Sequence, residues 1–184
     1  MHFYHIRKLA IAFMMIVMVG CASKATLEMS EAEKWEAADE AKNPILPDED
    51  LIAAFQQHRA TFELLLRMIA ADSKLHRVDC DWTDPQNPKD AGVSPERISE
   101  YRQLLDEVGC HRGFEVFPAR PGIYFISAAQ GTVVNSLTKG FYYFEGTPDT
   151  IVTNTETYIP KAQEYSFEIF RHIDGHWYVY FQKV

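Results

Sequence analysis

The apolar residues of this chain change their spacing once, near Arg112, and that change limits the fold more than any other feature. Ahead of it, Leu51, Phe55, Phe62, Leu65, Leu66 and Ile69 recur at three- and four-residue steps, the period of a helix with one broad apolar face. Asp48 precedes this run as a candidate N-cap, and Glu49 and Asp50 suit the positive end of the helix dipole, so one helix is predicted from 48 to about 73. A second is predicted over 94–109. Ser94 is a capping residue, Pro95 takes the first helical position, and Ile98, Tyr101, Leu104, Leu105 and Val108 form the buried stripe. Gly109 suits a left-handed closing residue. Between the helices, 75–79 reads as a short strand, and 81–92, rich in Pro, Asn, Asp and Gly, reads as an exposed loop.

After Arg112 the period is two. Strands are predicted over 113–117, 122–128, 139–145, 165–173 and 176–183, the last two joined by Asp174-Gly175, a dipeptide typical of a tight hairpin. In the fourth strand Tyr165, Phe167, Ile169 and Ile173 alternate with Ser166, Glu168, Phe170 and His172, so one face is apolar and the other mixed. Helices followed by sequential strands predict an α+β domain, with an antiparallel sheet of about five strands packed on two helices. The order of helix, short strand, helix and then a curved set of strands is similar, in topology alone, to the cone-shaped NTF2-like fold over residues 48–184.

Hydrophobic residues make up 47% of the 184 positions and aromatic residues 13%, which permits a packed core. Without Arg7 and Lys8 the 18 basic residues fall to 16 against 26 acidic ones, a net charge of −10. An acidic domain with no basic run is repelled by phosphate backbones, which argues against nucleic-acid binding and against loose adsorption on anionic lipid.

Residues 1–8 carry Arg7 and Lys8 and no acid, and residues 9–20 form an uninterrupted apolar run. Crossing a bilayer takes about 20 apolar residues, so this run is too short for a stable span and reads as the apolar region of a secretory signal. Met18-Val19-Gly20-Cys21 resembles the lipobox of bacterial lipoproteins; Gly20 and Cys21 match it, Val19 is accepted, and Met18 departs from the usual leucine. The resemblance implies cleavage before Cys21, a diacylglycerol on its sulfur and an acylated new amino group. Such an anchor is stable where a single acyl chain is marginal. Residues 1–20 are then the signal, 21–47 a tether that forms a short frayed helix around Trp35 or is disordered, and 48–184 a single domain. Ala22 and Ser23, with no Asp after the cysteine, point to an outer membrane facing the periplasm.

Export places the two remaining cysteines in an oxidising compartment, where Cys80 and Cys110 are expected to join in a disulfide closing a loop of about 30 residues; the alternative is two free thiols. A zinc set of His76, Cys80, Cys110 and His111 is poorly spaced, because Cys110 and His111 are adjacent. Asp79, Asp81 and Asp84 lack the Gly and Glu of a calcium loop. No metal and no cofactor is therefore assigned. No G-x-S-x-G turn is present, His58 sits near the apolar face of the first helix, and His172 and His176 flank the final hairpin, so no catalytic group is named.

Phe141, Tyr142, Tyr143 and Phe144, with Trp177, Tyr178, Tyr180 and Phe181, place aromatic side chains on both faces of neighbouring strands. One face is core. The other offers a possible binding surface, for which Tyr143, Trp177, Tyr178 and Tyr180 are the candidates. The stretches 94–109 and 173–181, together with the lipobox, resemble a group of small uncharacterised proteobacterial lipoproteins. That resemblance implies fold and location and no chemistry. The expectation is a membrane-anchored envelope lipoprotein, non-enzymatic, binding an envelope protein partner or a small ligand. The alternatives are a hydrolase or other enzyme with a site in a sheet pocket, and an acidic inhibitor or immunity-type protein.

Overall fold

A computed structural model of the chain describes residues 30, 34, 44–132, 135–161 and 165–184. The lipobox, Cys21 and the helix expected around Trp35 lie outside the described residues. Contacts divide the chain between Lys34 and Trp35, and the architecture below is that of the second unit.

Among the described residues, three α-helices precede or interrupt a seven-stranded open sheet, so the α+β class holds and the sheet is larger than the expected five strands. The helices are α1 (Asp48–Gln57), α2 (Arg59–Ala71) and α3 (Pro95–Glu107). The strands are β1 (Arg77–Val78), β2 (Thr83–Asp84), β3 (Phe114–Glu115), β4 (Ile123–Thr132), β5 (Asn135–Tyr143), β6 (Phe167–Asp174) and β7 (Trp177–Lys183). Their order is β2-β1-β3-β4-β5-β7-β6, with every neighbouring pair antiparallel. The short strand expected over 75–79 joins the sheet as β1, and β2, with a short 3-10 turn (Pro88–Ala91), lies within the stretch expected to be an exposed loop. Thr83 shows why: its side chain is buried and its hydroxyl donates to the Pro85 carbonyl at 2.7 Å, a contact without a periodic signature.

The single long helix expected from 48 is broken at His58, which leaves helical geometry at φ −111°, ψ 21°. Both halves face one sheet: Phe55 of α1 and Phe62 of α2 lie 5.4 Å apart and each packs on Trp177 of β7. A twisted sheet diverges from a straight rod, and the break lets both halves follow it. Nor does Asp48 cap α1. Pro47 occupies that position without a side-chain bond, and the Asp48 carboxylate turns inward, fully buried. For α3 the reading from sequence holds: Ser94 Oγ accepts from Arg97 N at 3.2 Å, and Gly109 adopts φ 72°.

β4 and β5 form one long hairpin, paired from Ile123–Tyr143 to Thr132–Asn135, so β4 runs past its expected end at 128 while β5 begins before 139 and stops short of 145. The β6–β7 turn is shifted by one residue. Asp174 still pairs with Trp177, leaving Gly175-His176 as the turn, while the Asp174 carboxylate pairs with Arg59 of α2. The main core lies between the helices and one sheet face, with Phe62, Leu65, Phe125, Phe141 and Val179 fully enclosed. Each such side chain contributes roughly 1.5–3 kcal/mol by leaving water.

Candidate functional site

Side chains of a strand alternate between faces, so the register assigns each aromatic residue to one side. Phe141, Tyr143, Trp177 and Val179 form paired positions facing the helices. Tyr124, Tyr142, Phe170, Tyr178 and Tyr180 form a second buried cluster on the opposite face. The candidate binding set therefore divides. Trp177 is buried among Phe55, Phe62 and Phe125, and Tyr143 lies half-buried beside it with its hydroxyl donating to Glu145 at 3.3 Å. Tyr178 and Tyr180 belong to the other face. Trp177 and Tyr178 are consecutive on one strand and cannot share a surface.

On that other face, Tyr124 and Tyr142 stack with centroids 4.5 Å apart, Phe170 lies 5.0 Å from Tyr142, and Tyr180 meets Tyr124 edge-on at 5.1 Å. Above them opens a concavity of about 740 Å³. Its floor is Tyr124, Tyr142 and Phe170; one wall is Arg120-Pro121, a second is Phe144 with Thr147–Thr150, and Ser166–Glu168 and Gln182–Val184 complete the rim. Hydrogen bonds fix three of the four phenols, and the buried Tyr180 hydroxyl has no partner among the described residues. Tyr124 donates to Glu168 Oε1 at 3.0 Å, Tyr142 to the Pro121 carbonyl at 2.5 Å and Tyr178 to the Gly146 carbonyl at 3.4 Å. Gly122, at φ 96°, lets the Arg120–Gly122 turn lie flat on Tyr142, because a Cβ there would stand 2.5 Å from the ring.

Burial, followed by the Glu168 charge, pushes the Tyr124 phenol far above its ordinary range, and burial likewise raises Tyr142. Both remain protonated and act as donors, not as proton acceptors. Arg120 lines the concavity, its side chain 55% exposed, with Nη1 3.9 Å from Glu168 Oε1 and the guanidinium carbon 5.7 Å from the Phe117 ring centre. The rim thus places a guanidinium and carboxylates around an aromatic floor.

The wall from Phe144 onward belongs to the long β5–β6 connection, which two devices hold in place. Phe170 N donates to the Thr150 carbonyl at 2.9 Å and Val152 N to the Phe170 carbonyl at 2.8 Å, covering the β6 edge. Farther on, Asn154 Oδ1 accepts from Glu156 N and Thr157 N in a side-chain-closed turn. Thr155 then docks on Asp48, its amide donating to Oδ2 at 2.8 Å and its hydroxyl to Oδ1 at 2.5 Å. The same carboxylate takes Lys139 Nζ at 2.8 Å and Arg171 Nη1 at 3.4 Å. Burial pushes the Asp48 carboxyl up, but the bonds from Lys139 and Thr155 outweigh it and hold the group below its ordinary range. Sequence reasoning assigned none of Tyr124, Tyr142, Glu168, Arg120 or Lys139 to a site.

Cys80 is exposed and Cys110 buried, both as free thiols, so the expected bridge is not formed in this structure. The zinc set is not assembled: His76 Nδ1 lies 3.6 Å from Asp84 and His111 Nδ1 3.0 Å from Asp106, each beside its own carboxylate. Among the described residues, Asp79, Cys80 and Asp81 bring three metal-capable atoms within 4.8 Å, but Asp79 already pairs with Arg77. His172 and His176 are exposed around the β6–β7 turn, and His58 marks the helix break. The chain matches no protein-family model, and comparison with curated proteins and with solved structures returned no match.

Proposed function

We propose that this chain is a lipid-anchored envelope protein that binds a small ligand on the sheet face turned away from its helices. The observation that carries the ligand-binding part is the 740 Å³ concavity, with Tyr124, Tyr142 and Phe170 beneath it and Arg120 at its mouth. Aromatic floors with a few convergent polar groups hold flat, partly apolar molecules, and an exposed guanidinium orients a carboxylate or sulfonate. The helix-then-strand order behind the NTF2-like resemblance belongs to the same proposal, with the concavity as its ligand chamber. The lipobox supports the anchoring part.

A titration with anilinonaphthalene sulfonate, a flat aromatic anion, tests the ligand reading. The expected result is one saturable site on the folded protein, weakened roughly tenfold by Arg120→Ala through loss of a charge-assisted bond. Equal binding by Arg120→Ala would remove the concavity from the proposal. Mass analysis of the native amino terminus tests the anchor: an acylated Cys21 is expected, and a product beginning at Met1 would refute it.

A further inference from the structure

We propose that Cys80 and Cys110 form a two-thiol exchange site, in which Cys80 receives a glutathione-type disulfide and Cys110 resolves it into an internal bridge. Cys80 lies in the β1–β2 turn, which Asp79 N closes by donating to the Trp82 carbonyl at 2.9 Å. Cys110 begins the turn between α3 and β3, in which Gly113 N donates to the Cys110 carbonyl at 2.8 Å. Two contacts hold these turns together. Arg102 of α3 donates to the Asp79 carbonyl at 2.9 Å, and Gly113 passes so near β1 that a Cβ would stand 1.7 Å from the Val78 carbonyl oxygen. Between the turns is a cavity of about 190 Å³ that both cysteines line, with Arg102 and His111.

Exposure sets the order of the steps. Cys80 meets solvent, whereas Cys110 has no exposed surface and is closed to a bulky reagent. The Cys80 thiolate, disfavoured by burial and by the Asp79 and Asp81 carboxylates, attacks one sulfur of the small disulfide slowly, forming a mixed disulfide and releasing one glutathione thiol. Cys110, whose thiol burial also pushes up, then loses its proton to the departing glutathione thiolate and attacks the Cys80 sulfur, the protein S–S bond forms, and the second glutathione thiol leaves. Two protein thiols are oxidised and one small disulfide is reduced to two thiols. A bridge needs Cα atoms about 4.4–6.8 Å apart. Closing the bridge would draw the exposed β1–β2 turn toward the cavity against the Arg102 contact, with α3 seated on the core through Ile98, Tyr101 and Leu105. The bridge would then staple the end of α3 to the edge of the sheet. This site is separate from the aromatic concavity and stands or falls without it.

Incubation of the folded full chain with oxidised glutathione, acid quenching and peptide mapping test the proposal. The wild type is expected to yield the Cys80 peptide joined to the Cys110 peptide, about 2 Da lighter than the pair of free thiols, with little retained glutathione. In Cys110→Ala the glutathione should remain on Cys80. A wild-type protein that keeps glutathione on Cys80 while Cys110 stays reduced would overturn the resolving step. Failure of Cys80 to react at all would overturn the entry step. Both readings come from the wild type, so a folding defect in the variant leaves them intact.

Discussion

The two faces of the sheet are built from the same strands and closed by different chemistry. Toward the helices, Phe125, Phe141, Trp177 and Val179 meet Phe55, Phe62 and Leu65, and the ion pair of Asp48 with Lys139 on that side is buried. On the far side, Tyr124, Tyr142, Tyr178 and Tyr180 carry hydroxyls, and an irregular connection in place of helices forms the cover. The comparison teaches that an aromatic-rich strand here serves two purposes at once. The helix-side rings are interlocked and bind the layers together. On the far side Tyr124, Tyr142 and Tyr178 are tied down at their hydroxyls, the buried Tyr180 hydroxyl has no hydrogen-bond partner among the described residues, and a concavity is left above the rings.

The comparison breaks most visibly at Phe62. Its replacement by Ala should cost about 4 kcal/mol in denaturant unfolding, because a fully enclosed ring touching four other aromatic rings leaves a cavity. Asp48→Asn should cost about 2 kcal/mol, since Lys139 would keep its burial and the Glu156 carboxylate at 2.8 Å but lose its fully buried counter-charge. Asp48 also gives the helix side an acid limit. Its folded carboxyl lies below the ordinary 3.8, so its contribution is complete above that value and fades as pH falls toward the lower folded one. Acid unfolding of Asp48→Asn should accordingly be flatter below pH 3.8 than that of the wild type.

The tyrosine side has the opposite limit. Tyr124, Tyr142 and Tyr180 are raised above the ordinary 10.0, chiefly by burial, so their neutral forms support the fold below pH 10 and that support declines as pH rises further. Phenolate absorbance from these residues should appear together with alkaline unfolding; its appearance in a still-folded protein would show that they are not enclosed. Tyr142→Phe should cost about 1 kcal/mol through the lost bond to the Pro121 carbonyl. Arg120→Ala should change stability by less than about 0.5 kcal/mol, as expected for an exposed pair, while weakening the anionic probe.

Residues whose role is local were legible before the structure. Ser94, Pro95 and Gly109 delimit α3, and the strand alternation gave most of the sheet, because caps and periodicity act over a few positions. Asp48 shows where that reasoning stops. Ahead of a helix an aspartate reads as a cap, and only the docking of Thr155, 107 residues away, turns it into a buried ionic centre. The concavity was hidden for a related reason. Tyr142 and Tyr143 are alike in the sequence, and which of them faces the helices depends on register with Tyr178 and Trp177 across the ladder. Arg120 and Glu168 meet over 48 residues through two irregular turns that carry no pattern. The break at His58 likewise reflects the twist of a sheet formed later in the chain.

Amide hydrogen exchange of the folded protein, with and without saturating anilinonaphthalene sulfonate, measures the division of labour between the faces directly. Slowed exchange confined to residues 120–124, 144–152 and 166–170, with α1 and α2 unchanged, is the result that separate roles require. Protection centred on α1 and α2, or spread evenly over the domain, would show that the far face is not where a ligand is held.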